Sequence, residues 1–110
     1  LRIAEQYLIR AEARVNKPVP DLAGALADLN AVRKRSGLPD FESSTGPEIL
    51  LAIENERRVE FAFEPHRWFD LVRTGRAGVV LGVQDPDKWI FPIPYNDIQA
   101  DPDLVQNPGY

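Results

Sequence analysis

Ten prolines set the limits on what this 110-residue chain can fold into. A proline has no amide donor and clashes with the turn before it, so no helix runs through one. Up to Pro65, the prolines at 18, 20, 39, 47 and 65 leave three long proline-free stretches: 1–17, 21–38 and 48–64. Within the first, Leu1, Ala4, Leu8, Ala11 and Val15 recur at alternating steps of three and four, with Tyr7 beside them. That spacing makes one apolar stripe on a helix. The stripe is already running at residue 1 with no capping residue before it. The chain also has no methionine, so the sequence reads as cut or processed at the edge of a helix.

The second stretch is better punctuated. Asp21 is suited to an N-cap. Leu22, Leu26, Leu29 and Val32 form the inward stripe, and Arg33, Lys34 and Arg35 place positive charge at the C-terminal end, where the helix dipole favours it. Gly37 can adopt the left-handed C-cap, and Pro39 follows. Two amphipathic helices on a short link predict an antiparallel hairpin, with small residues such as Ala23, Ala27 and Ala31 permitting close approach. Thr45 and Glu48 match a capping box and predict a third helix from about Pro47 to about Phe63. Pro65 is expected to end it and to open a fourth helix, with Arg67 to about Arg73 inside and Gly75 as its cap.

Beyond Gly75 the character changes. Gly78, Gly82, Pro86, Pro92, Pro94, Pro102 and Pro108 divide the chain into short segments. Loops are expected there, with one extended stretch around Trp89–Ile93 and a single turn of helix near Asn96–Gln99. Such a tail rarely builds its own core, and it is expected to wrap back over the helices. The fold class is therefore mainly α: a tetratricopeptide-like helical hairpin, further helices, and a loop-rich tail containing proline and aromatic residues.

Charge and composition exclude several functions. The net charge is −4, and no basic stripe is present, which argues against nucleic acid. With no cysteine there is no disulfide, thiolate catalysis or cysteine-based zinc site. No apolar run approaches the roughly 20 residues of a membrane helix.

The densest chemistry lies in ENERRVEFAFEPHRWFDL. At 100° per residue, Ile49, Ile53 and Phe63 fall within about 80° of one another, and Glu56 and Glu60 fall between them. Two carboxylates on an apolar stripe need cationic partners. Arg57, Arg58, Arg67 and Arg73 are the nearest in sequence, and a guanidinium fork suits a carboxylate. Glu56, Arg57, Glu60, Arg67 and Asp70 are accordingly expected to form a buried structural ion-pair network. The competing reading, a carboxylate pair for glycoside hydrolysis, needs one group protonated, and flanking arginines oppose that. His66 has i, i+4 spacing to Asp70, but no second histidine or nucleophile accompanies it. Trp68 and Phe69 are expected in a core. Trp89 and Tyr95, in the tail, are the candidates for ligand contact.

These residues carry a resemblance. Glu56 to Arg73 looks like the signature of the SusD/RagB family, E-R-R-x-E, then apolar positions, then E-G-x-R-W/F-x-D-L-x-R. LRIAEQYLIRAEA at the start, LNAVRKRSG at Leu29–Gly37, FPIP at Phe91–Pro94 and QNPGY at the end are similar to further family pieces, in the same order. The likeness covers residues 1–110 and implies the C-terminal domain of a larger protein. It departs at Pro65, where the family usually has glycine. The resemblance implies a mainly helical, non-catalytic lipoprotein on the outer face of the bacterial outer membrane, held by an upstream lipid anchor. Such proteins bind nutrients, chiefly oligosaccharides, and deliver them to a SusC-like TonB-dependent transporter, without metal or other cofactor. A different class, a tetratricopeptide-like protein-interaction module that never touches glycan, fits the hairpin as well.

Overall fold

The computed structural model describes residues 2–110, and every regular element among them is helical. Helix α1 spans Ile3–Val15, α2 Leu22–Arg35, α3 Gly46–Glu60, α4 Arg67–Arg73, α5 Ala77–Leu81 and α6 Tyr95–Ala100, with a 3-10 turn at Pro86–Trp89. The chain divides into two compact units, one ending at Arg67 and the other running Trp68–Tyr110.

In the first unit α1 and α2 form the expected hairpin, and α3 packs on both. Ala4, Leu8, Ala11 and Val15 of α1 meet Ala25, Leu29 and Val32 of α2 and Ile49 and Ile53 of α3 in one core, which Phe61 also joins. Leu1, counted in the α1 stripe, lies outside the described residues. The Asp21 carboxylate caps α2 by accepting from the Gly24 amide at 2.9 Å. Leu22 and Leu26 are only partly buried, because Ala25 and Asp28 take the more central positions. Asn30 ties down the following loop: its side chain accepts from the Phe41 amide at 2.8 Å and donates to the Phe41 carbonyl at 3.0 Å.

Two helix ends differ from expectation. Thr45 makes no side-chain cap on α3. Its neighbour Ser43 does the equivalent work, accepting from the Thr45 amide at 3.1 Å while its hydroxyl donates to Glu48. Helix α3 also stops at Glu60, short of the expected Phe63. The Pro65 ring would clash with the carbonyl four residues back, that of Phe61, so helical geometry has to be abandoned before Phe61. The chain then makes a turn, with Glu64 N–H donating to the Phe61 carbonyl at 3.0 Å. Pro65 consequently lies two residues ahead of α4 and does not open it. The left-handed residue of this turn is Phe63, at φ 65°, and not residue 65, so proline is accommodated where the family has glycine. Gly37 and Gly75 take φ 73° and 70° at the ends of α2 and α4, the conformation glycine adopts without steric cost.

The second unit contains more helix than its glycines suggested. Helix α5 was expected to be loop; Val79, Val80 and Leu81 separate Gly78 from Gly82 and carry the helical turn, and Gly82 at φ 74° closes it. Around Trp89–Ile93 no strand forms. Trp89 ends the 3-10 turn, and Ile90 is extended at φ −100°, ψ 151°. The proline pattern FPIP leaves Ile93 N–H as the one amide between Pro92 and Pro94, and Gln106 satisfies it. Gln106 accepts from Ile93 N–H at 2.7 Å and donates to the Ile93 carbonyl at 2.9 Å. Asn107 donates to the Phe91 carbonyl at 2.7 Å, and the Tyr110 hydroxyl to the Ile90 carbonyl at 3.1 Å. The two end motifs thus hold one another: QNPGY supplies the hydrogen bonds that FPIP cannot make for itself. Gln106→Ala is expected to destabilise this unit by about 1–3 kcal/mol, because the Ile93 groups lose their partners. Hydrogen exchange at Ile93 reads the effect directly, and unchanged protection there would refute the clamp.

Candidate functional site

Glu56 and Glu60 are both enclosed, with side chains 7% and 9% exposed. The arginines that meet them come from α2. Arg33 donates to Glu56 at 3.1 Å, and Arg35 reaches both oxygens of Glu60 at 2.7 Å. Arg2 adds a longer contact to Glu60 at 3.8 Å. The sequence reading assigned partners from α3 and α4, which are nearer along the chain. Tertiary packing overrides that nearness: α2 lies against α3, and its last turn comes alongside the last two turns of α3. Arg57 is buried with its guanidinium 5.1 Å from the centre of the Phe61 ring. Arg67 donates to Glu54 at 3.4 Å. Asp70 accepts from Arg73 Nε at 3.0 Å, an i, i+3 pair within α4. The pairs just described tie four of the five expected members to residues outside the expected set.

His66 precedes α4, so it does not share a helix face with Asp70 as its spacing suggested. Its Nε2 lies 3.2 Å from Glu5, and its ring stacks on Phe61 at 4.8 Å between centroids. Among the described residues no group of three His, Asp or Glu side chains converges as a metal site.

Sequence reasoning missed the most enclosed charge in the hairpin. Asp28 is 3% exposed in the middle of α2. Arg10 grips it in a fork, Nε at 2.9 Å and the terminal nitrogen at 2.7 Å, and Arg14 donates at 2.8 Å. The Asp28 carboxylate, first by hydrogen bonding and then by its charge, raises the pKa of the Arg10 guanidinium. A signal for this clamp was present. Asp28 lies three residues after Ala25 and four before Val32, on the inward stripe, and Arg10 and Arg14 are one turn apart on the facing helix.

The tail candidates differ from one another. Trp89 is half-buried, and its indole N–H donates to the Val83 carbonyl at 2.7 Å, which leaves only its ring for a ligand. Tyr95 is 72% exposed at the start of α6, and its hydroxyl accepts from Gln99 at 2.8 Å. That bond steadies the ring and leaves the hydroxyl proton available. Trp68 packs near Phe91, 6.3 Å between centroids. Phe69 was expected in a core but is 61% exposed. Buried Leu71 sets the inward face of α4, and Phe69, two residues away, points about 200° around the helix from it.

Among the described residues every regular element is helical, and they open on a helical hairpin. The SusD family model matches residues 1–85, and the chain belongs to that family. It is 33% identical to a SusD-like protein of Formosa agariphila across 99% of its own length and 24% of the relative's. It is 31% identical to the starch-binding protein SusD of Bacteroides thetaiotaomicron, covering 99% of this chain and 21% of that protein. The crystal structure of a SusD-like protein from Bacteroides fragilis matches all of the chain with a TM-score of 0.83 at 31% identity, over 25% of its own length. A SusD superfamily protein from Parabacteroides distasonis matches 97% of the chain at a TM-score of 0.82 and 28% identity, over 26% of its length. The chain thus spans about a quarter of the length of these relatives.

Proposed function

We propose that this chain is the C-terminal domain of a non-catalytic, lipid-anchored protein on the outer face of the outer membrane. That protein binds nutrients, chiefly oligosaccharides, and passes them to a SusC-like TonB-dependent transporter. The observation that carries this reading is family membership together with a relative named for starch binding. Two features of the chain support it. Its concentrated carboxylates are held in ion pairs, an arrangement that serves packing better than acid–base work. Tyr95 offers an exposed ring with a hydroxyl steadied by Gln99, a surface on which a sugar can stack and hydrogen-bond.

Calorimetric titration of the full-length protein with maltooligosaccharides and other soluble oligosaccharides tests the reading. Saturable heat with at least one of them, and no turnover of it, is the expected result. Tyr95→Ala is expected to weaken that binding about tenfold, or 1.4 kcal/mol. Unchanged affinity in the variant removes Tyr95 from the site, and the absence of heat with every glycan removes the oligosaccharide reading.

A further inference from the structure

Tyr95 is the first residue of α6, and α6 cannot set its own direction. The helix is six residues long and none of them is buried. A helix that short is not stable by itself in water, and without a buried side chain it has little packing to aim it. The ring at its start is nevertheless fixed to the helix, because Gln99, one turn on, donates to the Tyr95 hydroxyl at 2.8 Å. Where the ring points is therefore decided by whatever aims α6.

The residues before the helix supply that aim. Pro94 is its N-cap, with φ −55° and ψ 137°. The proline ring fixes φ, and the Pro94 carbonyl accepts from the Asp97 and Ile98 amides at 3.0 and 3.2 Å, so the step from Ile93 into the helix has little freedom. Ile93 is restricted as well, because the proline after it disfavours helical backbone there. These torsions leave open the orientation of Ile93 itself, and Gln106 closes it. One side chain takes both backbone groups of Ile93, the amide at 2.7 Å and the carbonyl at 2.9 Å, and two bonds resist rotation as one would not. The Gln106 carboxamide oxygen also accepts from the Asn107 amide at 2.9 Å, which holds that side chain in place. A continuous series of constraints thus runs from Gln106 through Ile93 and Pro94 to the Tyr95 ring.

We propose that Gln106 is a positioning residue for glycan binding: by gripping both backbone groups of Ile93 it sets the direction of the Tyr95 ring, on which an oligosaccharide stacks. The proposal rests on the functional reading of Tyr95. It gives the motifs FPIP and QNPGY a task beyond stability. A ring that is already aimed loses little entropy when a sugar stacks on it. A contact residue whose support is removed binds more weakly although the contact residue itself is still present.

The test is a double-mutant cycle in the full-length protein: wild type, Tyr95→Ala, Gln106→Ala and the variant carrying both. Calorimetry is run below the unfolding midpoint of every variant, and the probe is whichever of the maltooligosaccharides and other soluble oligosaccharides gives wild type saturable heat. Gln106→Ala is expected to weaken binding about fivefold and to have no further effect once Tyr95 is alanine, because a residue that acts through another is non-additive with it. A general loosening of the protein would weaken both backgrounds alike. Gln106→Glu keeps the acceptor for both amides and loses only the donor, so it serves the same cycle if the alanine variant does not fold. Its binding is expected to be about threefold weaker, again only while Tyr95 is present. Gln106 variants that bind as tightly as wild type overturn the proposal, and so does a loss that adds in full to that of Tyr95→Ala; the reading of Tyr95 survives both results. Unchanged affinity in Tyr95→Ala itself, or no heat from wild type with any glycan, overturns the functional reading and the positioning role with it.

Discussion

Asp28→Ala is expected to destabilise the helical hairpin by about 2–3 kcal/mol. Removing one member of a buried ion pair typically costs about 3–5 kcal/mol, because the remaining charge is left without compensation. The lower figure applies here because the stranded groups can recover water: the Arg10 side chain is 56% exposed and that of Arg14 30%. Asp28 joins three bonds from two successive turns of α1, and Arg14 also donates to the Gly24 carbonyl at 2.8 Å. Its loss therefore loosens the α1–α2 contact at several points together. Asp28→Asn keeps an acceptor but not the charge, and it should fall between wild type and alanine. Urea denaturation followed by helix signal measures all three. A midpoint for Asp28→Ala equal to that of wild type would show that the clamp contributes nothing.

Arg33→Ala is expected to cost about as much or more, near 3 kcal/mol, for a complementary reason. Here the group left behind is the enclosed one. Glu56 is 6% exposed, and Arg33 is its ion-pair partner among the described residues. A carboxylate stranded in that position must stay ionised without a partner or take up a proton. Replacing the pair together, Arg33→Met with Glu56→Leu, should recover most of the loss, since a buried ion pair is often no more stabilising than an apolar pair of similar volume. If the double variant is as unstable as Arg33→Ala, the damage lies elsewhere, most directly in the lost bond from Arg33 to the Pro39 carbonyl at 3.1 Å.

These two pairs mark what could be read in advance. Glu56 and Glu60 were placed inward from helical periodicity alone, and they are inward. Their partners could not be found the same way. Arg33 and Arg35 lie 23 and 25 residues earlier in the chain, and only the packing of α2 against α3 brings them alongside. Asp28 was overlooked because its neighbours on the α2 stripe are small or apolar, and an acid there is easily read as a solvated residue. Gln106 and Ile93 show the same limit in the tail: both motifs were visible, and their mutual hydrogen bonds were not.

The sequence by itself determined the existence of the first four helices, the inward stripes of α1 and α2, the caps at Asp21, Gly37 and Gly75, and the family. Each depends on interactions within a few residues, where periodicity, proline sterics and glycine freedom act whatever the rest of the chain does. The tertiary structure alone decided which arginine meets which carboxylate, which aromatic rings stay in water, and which residue of the α3–α4 turn takes the left-handed conformation. Those outcomes depend on what packing brings together across long separations. The charge-rich centre marked a fold signature in the sequence; the folded chain shows that α2, from outside that centre, holds Glu56 and Glu60 in place.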